Sequence, residues 1–235
     1  MSVEQRIIVT ILVLASSASI MSTDLYTPSL PHMPEYFGTS AQAAKLTISL
    51  NLLAFGFAQL VFGPLSDRFG RRPVFLCGLV AFTLTSVACA LAQTIEQLIV
   101  FRVLQGVAAS VEAVVGLAIV RDLFFDTQRV KVLAIWGMSV ALAPAVAPII
   151  GGYIHVTAGW QANFWLVAGV GALITLLILA RLAESTTPNP AAIKGRHVLA
   201  SFSALLRSKA FLNHAVLLGA SIGVIYAFVT AGPFI

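Results

Sequence analysis

Seven stretches of mostly apolar residues, each about the length a helix needs to cross a bilayer, follow one another along this chain. They are Ile7–Tyr26, Ala43–Pro64, Val74–Ala92, Leu98–Val120, Val132–Tyr153, Phe164–Arg181 and Phe211–Val229. Runs of this length leave few folds open. Lipid offers no hydrogen bonds, so a backbone inside it satisfies itself as helices or as a closed barrel. Barrel strands alternate apolar and polar residues over about ten positions, and these runs do not alternate. With 59% hydrophobic and 10% charged residues, the chain is too apolar to cover a surface in water. The expected fold class is an all-α integral membrane protein.

The loops give a direction. The net charge of +5 does not point to nucleic acid, because the basic residues lie between the apolar runs. With the N-terminus inside, 12 of the 14 Lys and Arg residues face the cytoplasm, and only Lys45 and Arg102 fall on the other side. The positive-inside rule therefore predicts a multi-pass membrane protein with a cytoplasmic N-terminus.

The longest connection, Ala183–Ala210, opens with Glu184-Ser-Thr-Thr-Pro-Asn-Pro190, where proline stops the sixth helix. Val198, Leu199, Phe202, Leu205 and Leu206 share one helical face, flanked by Lys194, Arg196, Arg207 and Lys209. That pattern predicts a short helix lying on the inner membrane surface. The organisation expected is a six-helix bundle over residues 1–183, a cytoplasmic loop over 184–210 and a seventh helix over 211–235. Six spans, a basic loop and an orphan seventh read as half of a larger protein plus the start of its second half.

Cys77 and Cys89 share one apolar run and read as free thiols. The four histidines are scattered, so no metal is expected. No nucleophile–base constellation suggests an enzyme.

Between the second and third runs stands Gly63-Pro-Leu-Ser-Asp67-Arg68-Phe-Gly70-Arg71-Arg72-Pro73. Gly70 suits a tight turn and Pro73 the start of a helix. The segment resembles the signature loop of the major facilitator superfamily, G-x-L-x-D-R-x-G-R-[RK]. The resemblance implies a conformational latch built on Gly63, Asp67, Arg68, Gly70, Arg71 and Arg72. Asp67 then pairs with cations or faces a helix N-terminus. Arg121-Asp122, at the inner end of the fourth run, is placed to join it.

Three ionisable residues lie inside the apolar runs, where each carries a cost. An arginine at the membrane centre costs about 2.5–3.5 kcal/mol on insertion scales, so Arg102 needs a partner. Arg102-Val-Leu-Gln105-Gly106 resembles the superfamily's R-x-x-Q-G motif, whose arginine is linked to proton coupling. Asp24 falls at a similar depth on the first span, which predicts a direct or water-bridged pair with Arg102. Glu112 sits mid-span, seven residues after Gln105 and on nearly the same face. A lone carboxylate there is costly to ionise, which makes it a candidate proton carrier or anchor for a cationic substrate. Tyr26, Asn51, Gln59 and Gln105 are further cavity candidates.

The fifth run carries Gly137, Ala141 and Ala145 at helical spacing, with Pro144, Pro148, Gly151 and Gly152, which predicts a narrow helix packed closely or bent. It resembles the superfamily's antiporter motif in the variant A-P-x-x-A-P-x-x-G-G. With Asp24-Leu-Tyr26-Thr-Pro28, Trp160 and Ala231-Gly-Pro-Phe234, it resembles the bicyclomycin/chloramphenicol-resistance (Bcr/CflA) branch of drug:proton antiporters. The resemblance implies two inverted three-helix repeats, with spans one and four lining the cavity. It also implies export of a small amphipathic drug-like substrate against protons, with no cofactor beyond the proton gradient. The partners expected are lipid, protons, substrate and a second helical bundle. Metabolite export, or a seven-span sensor without transport, are the competing expectations.

Overall fold

The computed structural model describes residues 1–189, 203 and 205–231. Eight α-helices and one 3-10 turn account for most of them: α1 Val3–Asp24, the turn Thr27–His32, α2 Met33–Phe37, α3 Ala41–Phe69, α4 Arg71–Ala90, α5 Ile95–Leu123, α6 Asp126–Ala158, α7 Gln161–Arg181 and α8 Lys209–Ala231. Seven segments, with α1, the turn and α2 forming the first, are long and apolar enough to cross a membrane.

Each expected span is present, but most helices run past the apolar stretch that announces them. The reason is local. Ser2 and Gln5 form a reciprocal capping box, and the side chains of Ser40 and Thr94 accept from the amides of Ala43 and Gln97. These polar caps carry the helices out of the hydrocarbon. At 29 residues, α3 and α5 are each about 43 Å long, against a hydrocarbon core of about 30 Å. Pro64, Pro144 and Pro148 lie within continuous helices and end none of them.

The packing order follows an exchange of halves. α3 and α4 both pack on α5, α6 and α7 both pack on α1, and α4 packs on α7. Exchanging the first three spans for the next three maps α3–α5 onto α6–α1, and α4–α5 onto α7–α1. That is the pairing two inverted three-helix repeats produce. One buried apolar cluster (Leu12, Phe75, Leu79, Val115, Ile119 and Ile178 among its members) fills the Gly70 end. A second (Tyr26, Leu30, Ile48, Leu98, Trp160 and Phe164) fills the Asp24 end. The outer faces stay apolar and exposed, as at Phe57, Ile149 and Val156, which suits lipid as the surrounding solvent.

One expectation about α6 changes. Gly137, Ala141 and Ala145 face outward, and Gly137 has open space where a side chain would stand. The row that packs inward is Ala143, Ala147 and Gly151, at i, i+4 and i+8. The sequence carries two rows of small residues, and their spacing alone does not choose between them. Of the expected surface helix, Val198, Leu199 and Phe202 lie outside the described residues, as does the Gly232–Ile235 end. α8 meets the bundle at α3.

Candidate functional site

Arg102 stands about two turns into α5 with no exposed surface. Its guanidinium is held almost wholly by neutral groups. Nε donates to the carbonyl of Thr47 at 3.4 Å; one terminal nitrogen donates to the carbonyl of Ser22 at 3.3 Å and to Gln105 Oε1 at 2.5 Å; the other donates to Thr23 Oγ1 at 3.1 Å. The rings of Tyr26 and Phe164 lie 5.6 and 5.7 Å from its central carbon, within cation–π range. Gln105 turns its amide nitrogen to Ser86 Oγ at 2.7 Å. Asn51 donates to the Arg102 carbonyl at 2.6 Å and accepts from Thr23 at 3.2 Å. Helices α1, α3, α4, α5 and α7 thus meet at one cation.

Glycines permit this closeness. A Cβ on Gly106 would lie 2.3 Å from the Asn51 carbonyl oxygen, so the glycine of the R-x-x-Q-G run is what lets α3 and α5 touch. A Cβ on Gly151 would lie 2.0 Å from the carbonyl oxygen of Leu25, next to Asp24. The glycine pair of α6 therefore seats that helix against the end of α1.

The direct Asp24–Arg102 ion pair is not formed: among the described residues no nitrogen of Arg102 lies within 4.0 Å of the carboxylate. Depth on the two spans matches, but azimuth does not. Successive helical residues are about 100° apart, and it is Thr23 that turns toward α5. Asp24 is 2% exposed, and its Oδ2 has no hydrogen-bond partner. Arg102 remains near enough to act on it electrostatically, and Tyr226 of α8 lies near enough to interact with both.

Glu112 is fully buried and neither carboxyl oxygen has a hydrogen-bond partner among the described residues. Its face of α5 is shared by Ala109, whose carbonyl accepts from Ser19, and by Gly116, which lies against Ser16. That face lies between α1 and α4, and no hydrogen bond among the described residues joins Glu112 to the Arg102 network. Gln59, two turns along α3 from Asn51, makes no hydrogen bond among the described residues and is half-buried.

At the far end of α5, Asp122 anchors the expected latch. Arg71 pairs with Asp67 at 2.6 Å and with Asp122 at 3.0 Å, and donates to Ser66 Oγ at 2.5 Å. Arg121 reaches Asp122 only at 3.8 Å from an exposed position. Asp67 meets a cation, and the helix N-terminus goes to a residue the motif does not name. Glu184 accepts from the amides of Arg71 at 2.9 Å and Arg72 at 3.1 Å. A carboxylate at the start of α4 caps free amides and complements the helix dipole. Gly70 makes room for it, with φ +98° and a Cβ position 2.5 Å from Glu184 Oε2. The Asn189 amide donates to the Asp67 carbonyl at 2.9 Å, so the segment after α7 straps this turn. Arg102, Glu112 and Asp122 are spaced ten residues apart on α5, about 15 Å per step. One helix thus links a buried cation, a buried acid and a latch.

Known proteins resemble this chain in sequence and in fold. A 34% identical uncharacterised MFS-type transporter, YdgK of Bacillus subtilis (strain 168), aligns over 92% of this chain and 54% of its own length. The multidrug resistance protein MdtL of Escherichia coli O157:H7 is 34% identical over 89% of this chain and 53% of its own. A chloramphenicol resistance protein of Pseudomonas aeruginosa is 39% identical over 145 residues, 61% of this chain and 35% of its own. The chain spans about half the length of the first two. Among solved structures, the human organic anion transporter MFSD10 (TETRAN) superposes with a TM-score of 0.71 at 21% identity, covering 88% of this chain and 55% of that one. A peptide transporter POT bound to alafosfalin gives 0.69 at 20%, covering 96% and 55%. These two likenesses concern the fold. A profile of the Major Facilitator Superfamily matches residues 12–235, nearly the whole chain. By that match, this membrane protein belongs to the Major Facilitator Superfamily.

Proposed function

We propose that this chain is the N-terminal half of a proton-driven drug exporter, with residues 184–210 linking it to a second bundle that α8 begins. The resistance proteins among its relatives support drug-like cargo, and membership of the family supports transport by alternating access rather than enzymatic chemistry. The relatives are about twice as long, so the reading concerns a protein of that length in the cell inner membrane, with its N-terminus in the cytoplasm.

One observation carries the proton-coupled reading. Arg102 is buried among neutral acceptors while a buried carboxyl, Asp24, stands beside its network without closing on it. With a proton on Asp24, that arrangement carries no bare carboxylate, and Arg102 stays on its neutral acceptors. Loss of the proton leaves a bare carboxylate beside a buried guanidinium, and mutual attraction then pulls Arg102 from Thr23 and Ser22. Those two contacts join α1 to α5, so the proton sets how the two cavity-lining spans pack. Glu112 supplies a second carboxyl midway along α5, as a proton carrier or as an anchor for a cationic substrate.

The test is transport by the full-length protein in everted membrane vesicles energised by respiration. Uphill accumulation of ethidium or chloramphenicol is expected for the wild type, and loss of uphill accumulation for Asp24→Asn with protein levels intact. Undiminished accumulation by Asp24→Asn would remove the switch.

A further inference from the structure

A cavity of about 530 Å³ lies apart from the Arg102 site. It is a groove between α3, α4 and α5 on the Gly70 side, running from Phe69 and Pro73 to Thr85 and Leu104. Its lining is apolar apart from Cys77 and Thr85. Its floor lies where α5 presses on α4: a Cβ on Gly78 would stand 2.6 Å from Val111, so the two helices meet behind the groove instead of filling it. Exposed Phe69, Ala81 and Leu104 mark where it opens sideways.

We propose that this groove holds one acyl chain of an anionic phospholipid, with its phosphate at Arg68. Length is the first argument. From Pro73 to Thr85 is twelve residues of α4, or about 18 Å, close to the roughly 15 Å of hydrocarbon in one leaflet. The groove begins at the charged helix ends and stops near mid-membrane, which is the reach of a lipid tail. Charge is the second argument. In the latch, Arg71 is neutralised by Asp67 and Asp122, and Arg72 donates to the Leu179 carbonyl at 3.1 Å. Arg68 forms no ion pair among the described residues, and its guanidinium lies 5.0 Å over the ring of Phe69, which lines the mouth of the groove. A cation held over the entrance of an apolar slot matches a phosphate above a tail. The proposal is independent of what the protein transports.

The experiment is native mass spectrometry of the full-length protein released from nanodiscs of mixed phosphatidylglycerol and phosphatidylcholine. The expected result is one retained phosphatidylglycerol. Ala81→Trp, which fills the groove from an exposed position, should abolish retention. Arg68→Gln should weaken it about fivefold, as loss of one basic residue near a membrane surface does, and erase the preference over phosphatidylcholine. A second reading uses Cys77, because Cys89 is buried: phosphatidylglycerol should slow maleimide alkylation of Cys77 several-fold in the wild type and not in Ala81→Trp. Equal lipid retention by wild type and Ala81→Trp, equal retention of the two lipids by the wild type, or alkylation of Cys77 indifferent to lipid would each overturn the assignment. So would a Cys77 that is unreactive with no lipid present, because a protein segment would then cover the groove.

Discussion

The Arg102 guanidinium donates to the hydroxyl of Thr23 at 3.1 Å, while Asp24, one residue on, is buried with a carboxylate oxygen unpartnered. A neutral hydroxyl and a carboxyl thus compete for one cation from adjacent positions. Thr23 should accordingly matter to stability. Thr23→Val removes an acceptor from a buried charge and should cost about 1–3 kcal/mol, read as a lower unfolding temperature in detergent. Thr23→Ser, which keeps the hydroxyl, should restore most of it.

The glycines of the two motifs should differ sharply in their response to a single methyl. Gly106→Ala drives a Cβ into the Asn51 carbonyl, and Gly151→Ala into that of Leu25, both backbone atoms that cannot rotate away. Each should destabilise by about 1–3 kcal/mol or more, visible as lower yield of folded protein in membranes. Gly137→Ala meets nothing within 4 Å and should be neutral or slightly stabilising.

Glu184 should prove part of the latch. Glu184→Ala frees two amides at the start of α4 and should cost about 1–2 kcal/mol, the range of a lost cap with its charge. The sharper readout is hydrogen exchange at the Arg71 and Arg72 amides. It should accelerate in Glu184→Ala and, to a lesser degree, in Glu184→Gln, which keeps one acceptor.

Glu112 should be a stability liability retained for use. Replacing a buried, unpartnered carboxyl with an apolar group of similar volume removes a desolvation cost. Glu112→Met should therefore raise the unfolding temperature. A lower value would show that the carboxyl has a polar partner within the working protein.

Much of this was legible in the sequence, and the misses share a cause. The spans follow from apolar length, and the meeting of Asp67 with a cation from the basic residues around it, although Asp67 lies in the last turn of α3 and Arg71 opens α4. Residue depth on a span is also legible, which is why Asp24 and Arg102 were expected to meet. Azimuth is not, because it depends on how α1 is rotated against α5, which is a matter of contacts between segments distant in the chain. Glu184 was readable only as the start of a loop, since its partners lie more than 110 residues earlier in the chain. The inward row of α6 was ambiguous because two rows of small residues were available.

The central claim is that the proton on Asp24 sets how α1 packs on α5. It is tested most directly by pulsed electron-spin distances between nitroxides at Glu35 and Glu96, both exposed near the Asp24 end, in the full-length protein with Cys77 and Cys89 replaced by serine. Among the described residues, Arg102 and Tyr226 lie within electrostatic reach of Asp24, and both stay in place in the experiment. Raising the pH should shift the distance distribution when Asp24 is present and leave it fixed in Asp24→Asn. The same pH-dependent shift in Asp24→Asn would contradict the account.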